Sequence, residues 1–185
     1  MNRLKYFMIP LVSCMLLLTV GCEDDPPIEN PEELITTVNF TLTNSSGGDI
    51  ILSFSDPDGD GGMNPVIAGG SLSPNTSYSA SIELLNESVT PAEDITAEVL
   101  LEAEEHQVFY LTDSLNVSFS YTDSDIDLNP IGISTMVMTG DSSSGNITVI
   151  LRHEPDKFAT GVSDGDISNA GGETDIEVSF PVTIQ

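Results

Sequence analysis

The chain contains no tryptophan, only two cysteines, two histidines and four cationic side chains among 185 residues. Each shortage closes off a class of function. Tyr78, Tyr110 and Tyr121 are the only tyrosines beyond the first 21 residues, so aromatic platforms for stacking on sugar rings are scarce. Cys14 and Cys22 both stand near the N-terminus, which leaves the rest of the chain without a disulfide framework or a nucleophilic thiol. Four cations against 30 acids, a net charge of −26, repel phosphate backbones, and nucleic acid is excluded as a partner. There is no Gly-x-Ser-x-Gly elbow and nothing singles out a catalytic carboxylate pair, so a protein that is not an enzyme is expected.

What is present begins with a secretion signal. Arg3 and Lys5 precede an apolar run from Tyr6 to Val20, and Gly21-Cys22 leads into Glu23-Asp24-Asp25-Pro26-Pro27. The run is shorter than the roughly 20 apolar residues of a spanning helix and ends on a small residue, as a cleaved signal does. It resembles the signal peptides of bacterial lipoproteins, in which a small residue precedes the cysteine that is acylated. Leu11-Val12-Ser13-Cys14 fits that motif's usual letters more closely than Thr19-Val20-Gly21-Cys22. Cleavage before Cys14, however, would truncate the apolar core and leave Met15-Leu16-Leu17-Leu18 on the mature chain. Residues 1–21 are therefore read as signal peptide, Cys22 as the lipidation site and 22–34 as an acidic, Pro-rich tether.

The acids behind Cys22 resemble the export signal of surface-exposed Bacteroidota lipoproteins, although a solvated acidic linker would carry the same letters. The expected location is the outer membrane, lipid-anchored, on the cell surface. Loss of residues 1–21 leaves Arg152 and Lys157 as the only cations against 30 acids, a balance of −28.

Beyond the tether, period-two apolar alternation recurs at 37–42, 50–54, 78–84, 107–111, 115–122, 131–138, 147–153 and 176–184, separated by Gly, Asn, Asp and Ser clusters. This pattern predicts an all-β fold, an antiparallel β-sandwich, Ig-like or barrel-like, over 35–185. One helix is expected near 92–105, where Thr90-Pro91-Ala92-Glu93 has the form of a capping box and Val99, Leu100 and Ala103 follow at helical spacing. Asp56-x-Asp58-x-Asp60 and Asp123-x-Asp125-x-Asp127 each follow an alternating run and end in Asn-Pro. Together with matching strands they predict two sequence-related halves, about 36–99 and 106–185, sharing one core.

Alternate carboxylates in a tight turn can supply oxygens to Ca2+. These two are not EF-hand loops, because Leu128 stands where the second would need glycine, and Ile67 and Ser134 where both would need glutamate. A looser calcium turn and a solvated turn both remain. His106, beside Glu105, and His153, beside Glu154, are the candidates for a transition-metal site, which Met136 and Met138 could extend toward copper. The plainer reading makes His106 a helix-terminal cation and His153 part of an ion-pair cluster with Arg152 and Lys157. The expected function is a binding module that captures a metal ion or small metal complex. The alternative is a structural or interaction lipoprotein with calcium-stabilised turns.

Three stretches resemble a family of small Bacteroidota lipoproteins of uncharacterised function, labelled "type 1 periplasmic binding fold superfamily protein". They are Glu104-Glu105-His106-Gln107-Val108-Phe109-Tyr110, Leu151-Arg152-His153-Glu154-Pro155-Asp156-Lys157 and Ala170-Gly171-Gly172-Glu173-Thr174-Asp175-Ile176-Glu177-Val178. The label implies an α/β fold, which the succession of strands contradicts. The resemblance further implies a TonB-dependent outer-membrane receptor as a working partner. Asp113-Ser114-Leu115 resembles a Bacteroidota O-glycosylation site.

Overall fold

Strands whose alternate residues are apolar pack into two layers, and the apolar sides face each other. In the computed structural model the described residues are 33–59 and 62–185. Glu32–Gln185 forms one compact unit. The expected signal peptide, Cys22, the tether up to residue 32 and Asp60 lie outside the described residues.

The first half supplies β1 (Thr37–Thr43), β2 (Asp49–Ser55), β3 (Val66–Ala68), β4 (Gly70–Leu72), β5 (Ser77–Asn86) and β6 (Glu93–Asp94), followed by α1 (Ile95–Leu101). The second supplies β7 (His106–Asp113), β8 (Val117–Tyr121), β9 (Ser134–Thr139), β10 (Ser143–His153) and β11 (Glu173–Ile184). One sheet has the order β3-β2-β1-β5-β9-β8, with β6 added to β5; the other has the order β4-β11-β10-β7. Every pairing is antiparallel except that of β4 with β11.

The all-β sandwich expectation holds. Along β5 every second residue is buried, from Tyr78 to Leu84, and β1 buries Val38, Phe40 and Leu42 opposite Val149, Leu151, Val178 and Phe180 of the second sheet. Removing a Phe or Leu side chain from water contributes about 1.5–3 kcal/mol, so these positions dominate the stability. The chain after β10 turns back over the outer face of the second sheet. There Val162 and Ala170 cover Phe109 and Ile150, whose strand neighbours point the other way.

The helix is shorter than the 92–105 expected, and the capping box does not form. Asp94 is the N-cap, accepting from Ala97 N–H at 3.2 Å, while the Glu93 carboxylate accepts from Asn86 Nδ2 at 2.8 Å. Glu93 and Asp94 are held in β6, so the helix begins only at Ile95. Ile95 and Val99 enter the core, and Thr96 Oγ1 accepts from Leu84 N–H and ties the helix to β5.

The strand expected from Ile131 begins at Ser134, because Ile131 and Ile133 bridge the two sheets. Ile131 O accepts from Val108 N–H of the second sheet, and Ile133 O from Ile82 N–H of the first. Gly132 turns between them at φ +88°, where a Cβ would stand 2.6 Å from Val108 O. No helix among the described residues is long and apolar enough to cross a membrane.

The two halves expected from the sequence are not wired alike. β1 lies between β2 and β5 in one sheet. β7, which the repeat of Val38–Leu42 near Val108–Leu111 would make its counterpart, pairs with β10 at the edge of the other sheet, while β8, which like β2 leads into an Asp-rich turn, pairs with β9 in the first.

Candidate metal centre

β7 starts and β10 ends at one end of the sandwich, and the antiparallel register sets His106 directly opposite His153. Both share their strand's inward parity, His106 with Val108 and Tyr110, His153 with Leu151 and Val149. The two imidazoles stack at the mouth of the core, ring centroids 4.8 Å apart and planes 12° from parallel. Residues 47 positions apart in sequence thus become neighbours. His106 is fully buried and His153 is 5% exposed.

Two carboxylates missed by the sequence reading complete the cluster. Glu33, at the head of the described domain, brings Oε1 and Oε2 each to 3.3 Å from His106 Nε2. Asp175 Oδ2 lies 4.0 Å from the same nitrogen, its side chain fully buried. Asp175 occupies a β-bulge: β10 pairs Leu151 with Ile176 and Arg152 with Thr174, and the residue between is left over. A bulge re-aims the side chain it carries, a displacement that strict alternation does not forecast.

The other nitrogen of His106, Nδ1, lies 3.2 Å from Glu102 O at the end of α1. With Nδ1–H donating to that carbonyl, Nε2 becomes the ligand atom, the usual way a backbone oxygen orients a metal-binding imidazole. His153 Nε2 is buried without a hydrogen-bond partner. A buried polar atom left so costs about 1–3 kcal/mol unless something fills the position.

Donor atoms of Glu33, His106 and His153 lie within 4.8 Å of one another, and so do those of Glu105, His153 and Glu154. Imidazole and carboxylate together suit Zn2+ and its neighbours, so the residues fit a transition metal. Near-parallel rings point their in-plane lone pairs side by side. Sharing one ion would therefore require one imidazole to rotate out of the stack. Glu105 and Glu154 are exposed, and their strand ends are joined by Glu154 N–H donating to Glu105 O at 2.6 Å. Met136 and Met138 alternate with buried Val137 and so face outward from the first sheet, away from this pair.

The acids of the Asp-rich turns are placed elsewhere. Asp123 accepts from Gly132 N–H at 2.8 Å and Ser134 N–H at 2.7 Å. Asp125 Oδ1 accepts from Asp127 and Asn129 N–H, and its Oδ2 meets Lys157 Nζ at 3.0 Å. Lys157 also donates to Ala103 O and to Pro130 O at 3.1 Å. The cation coordinated by the oxygens of the second turn is thus the protein's own ammonium, and Asp127 is exposed. Lys157 is 3% exposed, a buried structural cation rather than a member of a surface cluster with Arg152. In the first turn Asp58 accepts from Met63 N–H at 2.8 Å, and Asp56 N–H donates to Thr36 O.

No protein-family model, curated protein or solved structure matches the chain.

Proposed function

We propose that this protein is a lipid-anchored, surface-exposed lipoprotein of the outer membrane, acylated at Cys22. Its non-enzymatic β-sandwich holds a transition-metal ion at His106, His153 and Glu33. The observation that carries the reading is the buried, unpartnered Nε2 of His153 beside an imidazole whose other nitrogen already meets a carbonyl. Burial makes the ion one that is retained rather than passed on quickly. Glu33 joins the site from the last residues of the tether, so a bound ion would also fasten that segment to the sandwich. A TonB-dependent receptor is the partner class carried over from the lipoprotein resemblance.

The test is native mass spectrometry of the full chain purified from its own membranes. One zinc, copper or nickel ion per chain is expected, and it should be lost in His153→Ala and in Glu33→Gln. If no ion is found and none of these metals raises the melting temperature, the metal reading fails. The mass of the N-terminal peptide decides the anchoring separately.

A further inference from the structure

The exposed apolar residues of the loops are not spread evenly over the molecule. β1 begins at Thr37, shortly after the expected tether, opposite Ser55 of β2 and Leu85 of β5, while Tyr121 at the end of β8 stands opposite Thr135 near the start of β9. β7 begins and β10 ends at that same end, where Glu33 meets His106. Lys157, on the loop after β10, then ties two further loops to its own there, through Ala103 O of one and Asp125 and Pro130 O of the other. The residues flanking this knot are Leu101, Ile126, Leu128 and Phe158, exposed by 84%, 82%, 83% and 76%. The loops of the opposite end, 44–48, 73–76, 114–116 and 140–142, expose no large apolar side chain.

Apolar side chains held out at the end of α1 and on the loops after β8 and β10, around this knot, do not pack against the domain that carries them. Four of them together exceed the single scattered residues that need no explanation. The geometry points to the bilayer as their occupant. We infer that this end of the sandwich rests on the membrane, with Leu101, Ile126, Leu128 and Phe158 entering a zwitterionic headgroup layer.

The inference rests on acylation of Cys22. Cys22 precedes Glu33 by 11 residues. At no more than roughly 3.5 Å per residue, such a segment reaches about 40 Å, so the end of the domain that receives it stays within reach of the bilayer. Amphipathic surfaces bind the interface in proportion to the apolar area they bury, and the excess of acids over cations selects neutral over anionic lipid.

The test exploits the missing tryptophan. In acylated full-length protein reconstituted into phosphatidylcholine vesicles, Phe158→Trp and Ser46→Trp each place a single reporter, one at either end. Emission from the Phe158→Trp protein is expected to shift to shorter wavelength. Brominated phosphatidylcholine should quench it at least twofold, and leave the Ser46→Trp protein unchanged. Equal, water-like emission from both would overturn the inference while an acylated N-terminal peptide leaves the anchor standing. A blue shift for Phe158→Trp in native membranes without bromolipid quenching in vesicles would also overturn it, assigning the surface to a protein partner. An N-terminal peptide without acyl chains would overturn both readings together. Circular dichroism identical to that of the parent chain confirms that the variants are folded.

Discussion

The two ends of this sandwich are closed by different chemistry. At the far end the ions stay at the surface: Thr139 Oγ1 donates to Ser73 O at 2.7 Å and Asn116 N–H to Ser143 Oγ at 2.9 Å, while the carboxylates of Asp49 and Asp141 accept from Thr43 and Asn75 in exposed positions. The tether end instead buries ions. Lys157 faces Asp125 at 3.0 Å, and the stacked imidazoles face Glu33 and Asp175. A cap of neutral or exposed bonds tolerates the loss of one member, because water and neighbours replace a single weak bond. An ionic one does not, because the charge left behind stays buried. Stability at the tether end is therefore concentrated in a few side chains, and those are the ones that collect the protruding loops.

The sharpest way to break this contrast is Lys157→Met, which removes the ammonium and leaves Asp125 uncompensated. A loss of about 3–5 kcal/mol is expected by urea unfolding. Thr139→Val at the far end should cost only about 1–3 kcal/mol, since it orphans neutral groups alone. If the two costs came out equal, the ends would not differ in the way described.

High pH offers a third comparison. Burial pushes the Tyr121 phenol up from 10.0 to about 12, with the neighbouring Gln107 side chain opposing the rise and Asp123 adding to it. Burial also raises Tyr110, with Tyr121 and Asp123 adding to the effect. The folded state thus holds these protons more tightly than the unfolded chain. The contribution is complete below pH 10 and is lost as pH rises from 10 toward 12. Absorbance at 295 nm should show a late tyrosine titration that shrinks in Tyr121→Phe, and Tyr121→Phe should lessen the fall in stability over that interval. The smallest effect is expected from Ile126→Ser with Leu128→Ser, within about 0.5 kcal/mol of the parent by the same urea measurement. Those side chains touch the domain little, so a large loss would show that they belong to its packing.

Strands were legible wherever alternation ran five residues or more, as in β5 and β11, because one face is buried and the other wet. The three short strands β3, β4 and β6 were not, since two or three residues cannot display a period. The capping box misled for a related reason: Glu93 has the right spacing but is held by Asn86 in a strand pairing invisible to local pattern. The histidine pair was legible as residue types flanked by acids. Its stacking, and the recruitment of Glu33 and Asp175, were not, because one depends on strand register and the others on a chain end and a bulge.

Composition and period alone determined the broad class of this protein: a large excess of acids over cations, no thiol beyond Cys22, and alternation that can bury only the inner faces of paired sheets. Which acids serve which partner was decided by the tertiary structure. The second Asp turn reads as a cation site from its spacing. In the folded chain Lys157, 32 positions from Asp125, arrives there as the cation. Local sequence specifies a ligand set, but only the closing of distant loops around it determines what that set coordinates.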